Sequence, residues 1–150
     1  MGSEDIIAAA ARTSQAAQLA ELNAVDGKAA NLIGFVGIVL TLTYTSAFAD
    51  SHWNGALTGG TAALALATLP LGYAVWPRSY RFNPGVDGLR RMFSKSEPTV
   101  TYGHIAESIE RSMLANQEII NRKKRAVGAG TLIIVLGVLL VSAGLLYSLS

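Results

Sequence analysis

Residues 29–49, AANLIGFVGIVLTLTYTSAFA, run for 21 positions without a charge and stop at Asp50. About 20 apolar residues in a helix are enough to cross the hydrocarbon core of a bilayer. The run is not uniformly apolar. Asn31, Gly34, Ile38, Thr41 and Thr45 recur at helical spacing and draw one small or polar stripe along it. A stripe of this kind serves either packing within the protomer's own bundle or a self-association or pore-lining face, and both readings stay open.

Two more runs of the same kind follow. Residues 56–76 are dominated by Gly, Ala, Leu and Thr, with Pro70 inside. Its ring removes one helix hydrogen bond, so a kink is expected there. Residues 126–148 carry no charge, and Gly130, Gly137 and Gly144 repeat every seven positions. Such a line of glycines makes a narrow smooth face that lets membrane helices approach closely. Only six residues, Asp50–Gly55, separate the first two runs, which forces an antiparallel hairpin.

The remainder reads as helix and turn. Residues 4–27 are rich in helix formers, with Ser3 as a cap and Glu4 and Asp5 suited to a first turn. Ile6, Ala10, Ala17, Ala20 and Ala24 give this helix a weak face of small side chains, suited either to close packing against another helix or to a plain solvated lead-in, and the helix continues through Gly27 into the membrane. Asn83-Pro84-Gly85 is a turn signal, and a short helix carries Leu89–Phe93. A last long helix begins near Thr101 or Tyr102, with Ile105, Ile109, Met113 and Ile120 at helical spacing. The expected fold is an all-α membrane protein of three transmembrane helices, with an N-terminal cytoplasmic helix and a long final helix extending into the cytoplasm. Its segments are 1–28, the three spans 29–49, 56–76 and 126–148, and a sensing and coupling region at 77–125.

Charge placement gives the direction. Of 12 Lys and Arg, ten lie in 77–125, namely Arg78, Arg81, Arg90, Arg91, Lys95, Arg111, Arg122, Lys123, Lys124 and Arg125. The other two, Arg12 and Lys28, precede the first span. Cytoplasmic flanks collect Lys and Arg, so the N-terminus and 77–125 are expected inside and the C-terminus outside. Tyr44, Trp53 and Tyr147 then fall at the outer interface, and Tyr73 and Trp76 at the inner one. Asp26, Lys28 and Arg122–Arg125 all stand where helices enter the membrane from the same side. Asp26 is therefore a candidate partner for one of those four cations.

Composition narrows the chemistry. There is no cysteine, which removes thiol nucleophiles, disulfides and zinc–thiolate sites. His104 and Glu107 have the spacing of a metal pair, but nothing nearby completes a site. No span holds the ionisable residue that an intramembrane enzyme needs. Neither an enzyme nor a resident cofactor is expected. Arg122–Arg125 reads as a topology determinant in contact with anionic lipid. Arg78, Arg81, Arg90 and Arg91, interleaved with Tyr80 and Phe82, have a second reading. Guanidinium groups match phosphate geometry and aromatic rings stack bases. That makes Arg78, Tyr80, Arg81, Arg90 and Arg91 the candidate nucleotide site. Nucleic acid is not an expected partner, since no nucleic-acid-binding fold is present.

The architecture resembles the small transmembrane effectors of Pycsar anti-phage systems. A polar helix runs into the first span through Asp26-Gly27-Lys28-Ala29-Ala30, similar to the family's D-x-K-A entrance. A tight hairpin, Pro77-Arg78 after the second span, and a long helix ending in Asn121-Arg122-Lys123-Lys124-Arg125 before the third complete the likeness. The resemblance implies a cyclic pyrimidine nucleotide, cCMP or cUMP, as activating ligand of the cytoplasmic part. It also implies a homo-oligomer that impairs the bacterial inner membrane and arrests growth. A constitutive holin-like pore and a structural or adaptor subunit of a membrane complex are the rival readings.

Overall fold

The computed structural model describes residues 3–50, 54–78, 80 and 98–148, with side chains described at 13–46, 54–78, 80 and 110–148. Every element among these residues is a helix: α1, Ser3–Asp50; α2, Gly55–Val75; and α3, Pro98–Ser148. All three are long and apolar enough to cross a membrane. The chain divides into two compact units, residues 1–23 with 77–121 and residues 24–76 with 122–150.

In the second unit the three helices bury one seam each, at heptad spacing. On α1 it passes through Val25, Ala29, Val36 and Thr43; on α2 through Leu57, Leu64 and Leu71; on α3 through Lys123, Val127, Gly130, Ile134, Gly137, Val141 and Gly144. Alternating steps of three and four residues are the spacing at which supercoiled helices keep one edge toward their neighbours. The outer faces are equally apolar. Leu42, Leu69 and Leu132 are 61%, 67% and 73% exposed. Helices that are hydrophobic all round belong in lipid.

The join of α2 and α3 is leucine against glycine. A methyl group added at Gly144, Gly137 or Gly130 would lie 2.7–2.8 Å from Cγ of Leu57, Leu64 or Leu71 respectively. The order is reversed along the two helices, so they run antiparallel. At Gly60 the backbones themselves meet: a Cβ there would stand 2.7 Å from the Val141 nitrogen and 2.9 Å from the Gly137 oxygen.

Asn54 fixes one end of this join. Its Oδ1 accepts from the Leu57 amide at 2.9 Å, capping α2, and its Nδ2 donates to the Gly144 carbonyl at 2.8 Å. At the other end the Trp76 amide donates to the Gly72 carbonyl, and Pro77 follows. The residue before a proline is driven out of the helical region, which stops α2 there. α2 runs as one helix through Pro70.

One expectation needs correction, and two readings left open by the sequence are narrowed. The final helix starts at Pro98, earlier than Thr101; proline fits a first helical turn because its missing N–H would lack a helix partner anyway. The small-residue face of α1 is not its packing face at the three members whose side chains are described; those of Ile6 and Ala10 lie outside the described residues. Ala17, Ala20 and Ala24 are exposed, whereas Gln15, Gln18, Leu22 and Val25 turn inward. Those inward positions keep the heptad phase of Ala29 and Val36, so the seam rather than side-chain apolarity decides the orientation. Third, Asn31, Gly34, Ile38, Thr41 and Thr45 all lie on the exposed side of α1, so the stripe does not pack within the protomer's own bundle. The opposite face, carrying Ala29 and Val36, does that.

Candidate functional site

In the first unit, α1 and α3 face each other through polar side chains. The Gln18 side-chain amide donates to the Met113 carbonyl at 3.1 Å, and the Ser14 hydroxyl donates to the Met113 sulfur at 3.6 Å. Between the helices lies a cleft of about 380 Å³, its open mouth included. Its polar walls are Gln15, Gln18, Ser112, Asn116 and Tyr80; its apolar walls are Leu19, Leu22, Met113 and Ile120. Asn116, Leu22 and Ile120 are buried, and the Tyr80 hydroxyl is enclosed. Among the described residues, the walls hold four kinds of uncharged polar side chain and no ionised one. The described walls thus set hydrogen-bonding side chains beside apolar ones.

Of the five residues expected to hold a nucleotide, Tyr80 lines this cleft and Arg78 is half-buried in the same unit. Arg81, Arg90 and Arg91 lie outside the described residues, as do His52, Trp53 and the short helix expected at 89–93. Gln15, Gln18, Ser112 and Asn116 were not singled out from sequence. Their signal was present, since Gln15 stands 14 positions before Ala29 and Asn116 stands 14 before Gly130, in phase with the buried seams. Uncharged amides in a helix otherwise read as solvated face.

The second unit holds the other polar feature. Lys123 is buried in the α3 seam, 1% exposed, and its Nζ donates to Oδ1 and Oδ2 of Asp26 at 2.8 and 3.1 Å. Asp26 is 33% exposed. Lys28, Arg122, Lys124 and Arg125 all point to the surface. Of the four cations at the end of the polar part of α3, Lys123 is thus the one that reaches Asp26. Arg122 and Arg125 lie off the seam by about 100° and 200° of helix rotation. A lysine in an apolar seam is tolerated where a carboxylate pairs with it.

A family model described as PycTM, the Pycsar effector protein domain, matches residues 10–149. The chain belongs to the Pycsar effector family. Membership puts this Pycsar effector in anti-phage defence, and its three apolar helices make it a membrane protein. The matched span takes in both compact units, with the cleft in one and the Lys123–Asp26 pair in the other. No curated protein and no solved structure matches the chain.

Proposed function

We propose that this Pycsar effector is a ligand-gated membrane-disrupting protein. A cyclic pyrimidine nucleotide, cCMP or cUMP, binds its cytoplasmic unit. The protein then assembles into a homo-oligomer and impairs the inner membrane, arresting growth before phage matures. The nucleotide acts as a signal rather than as a cofactor, and no catalytic step is involved. The N-terminus lies in the cytoplasm and the C-terminus on the outer side, as the distribution of Lys and Arg favours.

One observation carries this reading: a single family domain holds both a partly polar cleft and a lipid-suited three-helix bundle. α1 and α3 contribute to both units, so a ligand that shifts one helix against the other in the cleft has a direct mechanical route along the same helices. A ligand moves such an equilibrium only by its differential affinity for the two arrangements. Asp26 and Lys123, together with Lys28, Arg122, Lys124 and Arg125, are the coupling residues at the membrane side. The chain is too small to enclose an aqueous path alone, which is why assembly is required.

Purified full-length protein in liposomes loaded with a fluorescent dye tests this. Dye release on adding cCMP or cUMP, accompanied by a larger oligomer, is expected. Equal release with and without nucleotide would instead favour a constitutive pore. Intact vesicles under every nucleotide, from correctly folded protein, would overturn the reading.

A further inference from the structure

We propose that the second unit seats the headgroups of anionic phospholipids on a belt at one level of its three helices, formed by Lys28, Arg122, Lys124 and Arg125 with Trp76 beside them. The belt is independent of any nucleotide and of the first unit.

The outward face of each helix changes character once, and the three changes coincide. On α3 the exposed residues Arg122, Lys124 and Arg125 give way to Gly128, Ala129 and Leu132, and no charge follows in that helix. On α1 the exposed face passes from Lys28 to Ala30, Asn31, Gly34 and Phe35. On α2 it runs through Leu66, Leu69 and Tyr73 to Trp76, which is 69% exposed. Contacts between the helices bring these points into line. Lys123 on α3 reaches Asp26 on α1, and Arg125 and Lys28 each stand two residues from that contact. Leu71 on α2 lies against Gly130 on α3, and in these antiparallel helices the same short step leads from Leu71 to Trp76 and from Gly130 back to Arg125. One residue from each helix, Lys28, Trp76 and Arg125, thus lies within about one turn of a common level.

That level is where a bilayer places its phosphates. Leu69 and Leu132 belong in hydrocarbon, and a charged side chain cannot follow them there without a large cost. Tryptophan settles at the headgroups. Lys123 takes no part, because its ammonium turns inward onto Asp26, and the same contact takes up the carboxylate's charge. Besides Asp26, the nearest acidic residues on α1 and α3 are Glu21, two turns before Lys28, and Glu118, one turn before Arg122, both on the side away from the apolar faces. The outward charge at the level itself is therefore cationic. Each cation facing an anionic surface strengthens binding about fivefold. Arg122, Lys124 and Arg125 leave α3 in different directions, since successive residues turn by about 100°. They meet several headgroups of a surrounding lipid ring and do not converge on one free anion.

Native mass spectrometry of the full-length protein, released from micelles holding equal amounts of phosphatidylglycerol and phosphatidylcholine, tests the belt. Wild type is expected to retain phosphatidylglycerol in at least tenfold excess. Replacing Lys28, Arg122, Lys124 and Arg125 together by Gln is expected to bring the two lipids to within about twofold of each other. Lys28→Gln and Arg125→Gln alone carry the same test with little change in total charge, and each is expected to lower the preference by up to about fivefold. Arg111→Gln, three turns before Arg122 on α3, should leave it unchanged. In thermal melts phosphatidylglycerol is expected to raise the melting temperature, less so as salt increases from about 0.1 M to about 1 M. Equal retention of the two lipids by wild type would overturn the proposal. A preference undiminished in the single variants would place lipid selection on other residues and overturn the belt. A melting temperature raised as much by inorganic phosphate would make a free anion, not a lipid, the ligand.

Discussion

Lys123 sits in the seam of α3 with its ammonium 2.8 Å from Oδ1 of Asp26, and the two partners are unequally buried: 1% exposed for the lysine, 33% for the aspartate. The asymmetry makes the consequences of losing either one different. A carboxylate that keeps a third of its surface has access to water when its partner is removed. The ammonium does not.

Asp26→Asn is therefore expected to destabilise the bundle by about 3 kcal/mol, since it strands a buried charge. Lys123→Met is expected to stay within about 1 kcal/mol of wild type, because it fills the same space and removes the charge with it. Thermal melts of the detergent-solubilised protein measure both. A larger loss from Lys123→Met than from Asp26→Asn would mean that the carboxylate, not the ammonium, dominates the pair.

Gly60 and Gly137 mark a close approach of the α2 and α3 backbones. A methyl at Gly60 meets the Val141 backbone nitrogen and the Gly137 oxygen, neither of which can rotate away. Gly60→Ala is expected to cost about 1–3 kcal/mol, the usual range for overpacking. Gly128 has nothing within 4 Å and faces outward, so Gly128→Ala is expected to be neutral or stabilising by up to about 1 kcal/mol. Adding Val141→Ala should not rescue Gly60→Ala, because the obstacle is the backbone at that position. Unfolding curves in a graded detergent mixture distinguish these outcomes; a full rescue would place the clash on the Val141 side chain instead.

Much of this was legible in the chain. Three uncharged runs of spanning length gave the helix number, because neither lipid nor a helix core tolerates charges there. The glycine heptad on α3 was visible, but its partner, Leu57–Leu64–Leu71 on α2, was hidden among the many leucines of that span. The same heptad carried one step further back lands on Lys123, and two steps back on Asn116; this would have singled out both residues. Four consecutive cations conceal which one turns inward until that phase is fixed. The direction of the Asn31 stripe was not legible at all. α1 has two faces of modest side chains, Asn31–Gly34–Thr41 and Ala29–Val36–Thr43, and only the register against α2 and α3 selects the second for burial.

That selection leaves Asn31, Gly34, Thr41 and Thr45 on the outside of the protomer, and it sharpens what they can do. Thr41 donates to the Gly37 carbonyl at 2.9 Å and Thr45 to the Thr41 carbonyl at 3.0 Å, so their hydroxyls are satisfied within the helix and need no partner to be stable in lipid. Replacing Asn31 or Thr41 by Leu is accordingly expected to leave the protomer's thermal stability within about 0.5 kcal/mol of wild type, as for exposed sites without special contacts. Assembly is where a difference would show. If protomers meet, or line a water path, through this stripe, then Thr41→Leu replaces a small hydroxyl by a bulkier apolar group at the contact. Nucleotide-triggered dye release should then fall at least tenfold while nucleotide binding is retained. Normal release from both variants would mean that the stripe faces lipid in the assembled state and that the oligomer forms through another surface.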